Sequence, residues 1–168
     1  MDLEYDFARP GKALHGYTSD THLGAPQHVR PIAIDELPSR LKGITLQWEY
    51  VNFAKVNQDQ IPDAAGVYMF IVHPRTANIK YHSIILYIGR AKSLRDRFRD
   101  YIEEREGGRK EDRQNIVQML AIYKNRVQFG FAAVNYYRTE EIEDLLIFAL
   151  TPCCNTRRSK PMPPIAAF

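Results

Sequence analysis

The chain is poor in cysteine, in long apolar runs and in any internal repeat, and each shortage excludes something. Its 168 residues hold 2 cysteines, Cys153 and Cys154, adjacent in sequence, so no network of disulfides staples the fold. With no Cys/His cluster beside them they are also poor zinc ligands. No stretch approaches the ~18 apolar residues of a membrane span, and the N-terminus lacks a basic-then-apolar leader; a cytoplasmic setting with no membrane partner is expected. The 5 histidines fall at no metal-binding spacing, including His15, His22 and His28 near the N-terminus and His73 and His82 further on. Tryptophan occurs once, Trp48, and reads as a core anchor rather than a platform for a base.

Net charge is +3, but it is unevenly spread. Residues 1–60 carry 6 Lys/Arg against 8 Asp/Glu, and the remainder 17 against 12. The densest cationic run is Arg90, Lys92, Arg95, Arg97 and Arg99, five bases against the single acid Asp96. Such a run suits a polyanion, although Asp100, Glu103, Glu104 and Glu106 follow closely and fit an ordinary solvated helix face as well.

Periodicity divides the chain into an N-terminal extension and a domain. Residues 1–30 show scattered apolar residues and no period, as in an extended or partly disordered arm. Ile34–Leu41 reads as a short helix interrupted by Pro38, and Thr45–Val56 as a strand or hairpin arm packed on the core. Ala64–Val72 and Ile84–Ile88 are strands, the second ending at Gly89. Ser93 with Asp96 resembles a capping box opening a helix over Ser93–Glu104, with Leu94, Phe98, Tyr101 and Ile102 at helical spacing. A second helix is expected over 111–124, a third strand over Arg126–Val134, and a last helix over Thr139–Ala149 stopped by Pro152. The link from His73 to Ser83 is long, with Lys80–Ser83 available to extend the second strand. Thr156–Phe168 forms a basic, then proline-rich tail. The boundaries expected are an arm over 1–60 and a domain over 61–168.

Five ordered features give this domain a resemblance. Gly66-Val67-Tyr68 and Tyr87-Ile88-Gly89 match the two name-giving motifs of the GIY-YIG nuclease family. Arg97, eight residues beyond Gly89, stands where that family carries its helix arginine, and Tyr101 where a Tyr or His follows four residues later. Glu143, Leu146, Ile147, Pro152 and Asn155 fall in the order and spacing of the family's glutamate helix and the asparagine after it. Ile61–Tyr68 also resembles the entry to the catalytic domain in the family's excision-repair members. The resemblance spans about residues 61–155 and departs at Arg90, where Lys or Ser is frequent, and in the long link between the motifs.

The resemblance implies an α+β fold with a small central three-stranded antiparallel sheet flanked by helices. It also implies a Mg²⁺-dependent endonuclease, with Mn²⁺ as an alternative metal, acting on nucleic acid, DNA rather than RNA, and as a homodimer where both strands are cut. The lone carboxylate Glu143 is the implied metal ligand and points to one ion rather than two. Asp144, about 100° around the helix, is a weak second candidate, and Glu140, one turn before Glu143, could share its face but is expected to support the site from behind or to lie in solvent. Arg97 suits a phosphoryl oxygen whose charge grows in the transition state. Tyr68 and Tyr87 are both candidate bases, with Tyr87 slightly preferred; free tyrosine titrates near 10, so either needs cationic neighbours, and Arg90 and Lys92 are close in sequence. Tyr101 would orient water or phosphate, and Asn155 would pin the segment after Pro152. Arg90, Lys92, Arg95 and Arg99 would contact the nucleic-acid backbone. The competing reading is a nucleic-acid-binding module on the same scaffold that does not cut.

Overall fold

The computed structural model describes residues 31–73, 83–107 and 114–155. The arm over 1–30 with its three histidines, most of the link after His73, the start of the expected second helix and the tail after Asn155 lie outside the described residues. Four helices are described: α1 (Pro31–Arg40), α2 (Leu94–Arg105), α3 (Gln114–Tyr123) and α4 (Thr139–Leu150). Four strands form one antiparallel sheet in the order β1-β4-β2-β3, with β1 at Glu49–Asn52, β2 at Gly66–Val72, β3 at Ile84–Ala91 and β4 at Val127–Ala133.

The sheet therefore has four strands where three were expected. The additional one, β1, comes from the segment before residue 60 and pairs with β4 in the register Tyr50↔Gly130. Gly130 makes the pairing fit, since a Cβ there would press on the Tyr50 ring. The strand itself is short; the rest of the expected Thr45–Val56 arm is irregular chain and a 3-10 turn over Lys55–Gln60. β3 also differs from expectation. It does not stop at Gly89 but continues through Arg90 to Ala91, paired with β2 as far as Gly66↔Ala91. In α1 the helix runs through Pro38 to Arg40.

β2 is central and buried along its whole length, which is why GVYMFIV reads as an unbroken apolar run. Its alternation sorts side chains onto two faces. Tyr68, Phe70 and Val72 join Phe129 and Phe131 of β4 beneath Leu94, Phe98, Tyr101 and Ile102 of α2 and Ile116, Met119 and Leu120 of α3. Val67, Met69 and Ile71 meet Ile88, Ala132 and the α4 residues Ile142, Leu146 and Ile147 on the opposite face, with Trp48 half-buried at the edge of that cluster. Each helix follows the spacing of its apolar residues. Ser93 caps α2 by accepting a hydrogen bond from the Asp96 amide at 3.1 Å, worth about 1 kcal/mol. α4 closes on Thr151, whose φ of 41° is left-handed, immediately before Pro152.

The α2 face is an aromatic cluster centred on Phe129, fully buried, with the rings of Phe98 at 5.2 Å, Phe70 at 5.5 Å and Tyr68 at 5.2 Å. Three elements depend on that one ring. Phe129→Ala is expected to cost about 3–5 kcal/mol through lost burial and a cavity, read as a lower denaturation midpoint in urea; a loss under about 1 kcal/mol would show that the cluster does not hold the faces together.

Candidate active site

The site residues come from both faces of the sheet and meet around its β3 edge. The register sets Tyr68 opposite Gly89 and Phe70 opposite Tyr87, so both tyrosines belong to the α2 face. A bulge between Phe70 and Ile71 leaves Leu86 as the extra residue of β3. Leu86 and Tyr87 consequently both pack into the α2-side core. Gly89 has to be glycine: a Cβ there would collide with the Tyr68 hydroxyl and press on the Tyr87 ring. The two motif tyrosines are thus packed about the space that the motif glycine leaves open, with ring centroids 6.2 Å apart.

Tyr68 is buried, its hydroxyl 2.8 Å from that of Tyr101 on α2. Burial first, then the neighbouring Tyr101 and Tyr87 phenols, push its pKa well above the usual 10.0, and the Arg97 guanidinium only partly offsets them. Arg97 stands over the Tyr101 ring at 5.9 Å. Its ion pair with Asp100 is long, 3.9 Å, and its buried Nε has no hydrogen-bond partner among the described residues. Arg97 opens onto a polar cleft of about 420 Å³ lined by Arg90, Lys92, Ser93, Asp96, Asp100 and Tyr136, among others. None of the three tyrosines lines the cleft: Tyr101 packs against Arg97 with Tyr68 beyond it, and Tyr87 is half-buried on β3.

Arg90 links the cleft to the other face. Its guanidinium forms ion pairs through Nε with Glu143 at 3.0 Å and through Nη2 with Glu140 at 3.2 Å, one turn apart on α4. Glu143 is the more enclosed of the two carboxylates, its side chain 13% exposed against 53% for Glu140. Glu140, ranked behind Glu143 from sequence, shares its guanidinium.

Asn155 lies against the free edge of β3. Its side-chain amide accepts from the Ile88 N–H at 2.9 Å and donates to the Ile88 carbonyl at 2.8 Å, while the Cys154 amide bonds to Leu86 O at 2.8 Å. The adjoining Cys153 thiol is drawn down to about 7 by a hydrogen bond from Cys154, its sulfur 3.7 Å away. No group of three or more His, Cys, Asp or Glu capable of holding a metal occurs among the described residues.

Of the four cations expected against a phosphate backbone, two line the cleft: Arg90, and Lys92, which is exposed. The other two are turned to other partners. Arg95 donates to the Ile61 carbonyl at 2.8 Å and fastens α2 to the chain entering β2. Arg99 is paired with Asp96 at 2.7 Å and lies near Glu103 at 3.9 Å. What sequence reasoning missed is the pair Tyr136–Tyr137, exposed on the turn that leads into α4, with Tyr136 in the cleft wall. The available signal was two adjacent aromatics in an otherwise polar turn.

The buried Tyr68 phenol has a consequence for stability against pH. The unfolded chain releases this proton near 10.0, whereas the native state retains it to higher pH, so above pH 10 the unfolded state binds fewer protons and stability falls. The expected slope is up to about 1.4 kcal/mol per pH unit from this residue alone. Denaturation of wild type and Tyr68→Phe between pH 9 and 11 checks it: the variant should lose less stability over that interval, and parallel curves would refute the assignment.

No family model matches the chain, and no curated protein matches it. Among solved structures it is similar to the GIY-YIG N-terminal endonuclease domain of UvrC from Thermotoga maritima bound to magnesium. Identity is 19% and the TM-score 0.42, over 61% of this chain and 94% of that one. A point mutant of the same domain, bound to its catalytic divalent cation, gives 18% identity and a TM-score of 0.43 over the same shares.

Proposed function

We propose that this protein is an endonuclease that hydrolyses phosphodiester bonds, in DNA rather than RNA, at the cleft between β3, α2 and the start of α4. The observation that carries the reading is the double role of Arg90. It forms part of the same cleft wall as Arg97 and is also paired with Glu143. A phosphate entering this cleft would meet two guanidiniums, with a carboxylate directly behind one of them.

The donor chemistry fits one hydrated Mg²⁺ or Mn²⁺. A single hard carboxylate, Glu143, with Glu140 a turn away, is enough for an ion that keeps most of its waters. When bound, such an ion would polarise the phosphoryl oxygen and assist the departing alkoxide. In this reading Arg97 takes the charge growing on the phosphoryl oxygens, and Arg90 and Lys92 hold the adjoining phosphate. Tyr87 is the better base of the two tyrosines: it is only partly buried, whereas burial and the Tyr101 hydroxyl keep Tyr68 protonated. Tyr101 buttresses the Arg97 guanidinium, and Asn155 fixes the β3 edge on which Tyr87 and Gly89 sit.

One observation favours the second reading, a module that binds nucleic acid without cutting it: the guanidinium of Arg90 already holds the carboxylate that a metal would need. Nicking of supercoiled plasmid with Mg²⁺ separates the two. Wild type is expected to nick, Glu143→Gln and Arg97→Ala each to fall about 10²-fold, and Tyr87→Phe to fall further than Tyr68→Phe. Equal cutting by wild type and Glu143→Gln would remove Glu143 from the site, and a wild type that binds but never nicks would leave the second reading standing. Competition for the carboxylate has its own readout. Arg90→Ala should bind Mn²⁺ about tenfold more tightly by electron paramagnetic resonance, a gain of roughly 1.4 kcal/mol; unchanged affinity would show that guanidinium and metal do not compete.

A further inference from the structure

The aromatic pair on the turn before α4 has no part in the hydrolysis described above, and its position asks for one. Tyr136 lines the cleft beside Arg90, Lys92 and Arg97. Tyr136 is 43% exposed and Tyr137 88%, the most open of the large hydrophobic residues described. The two rings lie 5.8 Å apart at an interplanar angle of 64°. Large aromatics left in water cost free energy unless something covers them, and here they flank a cationic cleft.

The turn that presents them is held at both ends. The Asn135 side chain accepts from the Tyr137 amide at 3.0 Å, and the Thr139 hydroxyl donates to the Tyr136 carbonyl at 2.8 Å. The Lys92 ammonium lies 5.5 Å from the Tyr136 ring centroid, so charge and ring share one wall. A turn whose backbone is already fixed adds little ordering cost when its rings meet a flat ligand.

We infer that Tyr136 and Tyr137 form a stacking platform for an unpaired nucleobase of the strand whose phosphate enters the cleft. Cationic grooves flanked by exposed aromatics bind single strands in this way, the phosphates meeting the charges and a base face covering a ring. A base within a duplex is already stacked on its neighbours and has no free face to give. The substrate class that follows is therefore nucleic acid with unpaired nucleotides at the cutting position: a gap, a flap or a single-stranded overhang. This inference rests on the nucleic-acid reading of the cleft, and the aromatic pair adds the preference for unpaired bases.

The test is fluorescence anisotropy with the full chain in EDTA, using three labelled oligonucleotides of equal phosphate count: a full duplex, a gapped duplex and the same gapped duplex with abasic residues in the gap. Wild type should bind the gapped duplex roughly tenfold more tightly than the full duplex, and abasic residues should abolish that advantage. The double variant Tyr136→Ala/Tyr137→Ala should bring the ratio close to one, whereas Tyr136→Phe/Tyr137→Phe, which keeps both rings, should preserve it. Circular dichroism melting checks that the variants remain folded. An equal affinity of wild type for gapped and full duplex overturns the inference, as does a preference that survives either the alanine pair or the abasic gap. Failure to bind any of the three at low salt overturns it together with the nucleic-acid reading. A preserved preference in a protein that does not nick plasmid upholds the platform and rejects only the cutting.

Discussion

The side-chain amide of Asn155 takes both backbone hydrogen bonds that Ile88 offers at the free edge of β3, and the arrangement of the site follows from that contact. An outer strand normally presents a row of unpaired N–H and C=O groups. Here the chain after α4 returns to satisfy two of them, with the Cys154 amide taking a third at Leu86. The return fixes the C-terminal end of α4, and through the helix its first turns with Glu140 and Glu143, relative to the strand that carries Tyr87 and Arg90. Because β3 is outermost, residues from both faces of the sheet approach each other around it without passing through the core.

Charge in the region is distributed by compensation rather than by excess. Arg90 answers two carboxylates, Arg99 answers Asp96, and Arg95 is committed to a carbonyl. The dense basic run in the sequence is therefore a weaker field in three dimensions than its count suggests. What is left facing the cleft is concentrated in Arg97, whose Nε has no hydrogen-bond partner among the described residues, and the exposed Lys92. A site of this kind holds its groups ready by giving them partners that a ligand must outcompete, and the strength of each partnership sets how readily it is surrendered.

Much of this was legible in the sequence because it rested on period and on short-range chemistry. The α2 face followed from Leu94, Phe98, Tyr101 and Ile102, its start from Ser93, and the central strand from the unbroken apolar run of β2. A strand within Thr45–Val56 was legible, but its short extent and its place as a fourth member of the sheet were not. Glu49–Asn52 is too short and too polar to announce pairing, and its place depends on Gly130 lying eighty residues away to make room for Tyr50. The continuation of β3 past Gly89 was hidden for a related reason: a glycine in a strand pattern reads as a break, whereas here it is the one residue small enough to lie opposite Tyr68. Which arginines face the cleft was likewise beyond reach, since it depends on partners such as the Ile61 carbonyl that no local pattern reveals.

The two margins of the sheet have been treated differently. One is occupied by a returning segment of the chain, while the other, β1, is only four residues long, with Glu49 and Asn52 exposed at its ends. So brief and polar a margin offers too few consecutive hydrogen-bonding groups for a stranger's strand to zip onto. The sheet thus takes in backbone from a distant part of the chain while its β1 edge stays too short for a long ladder.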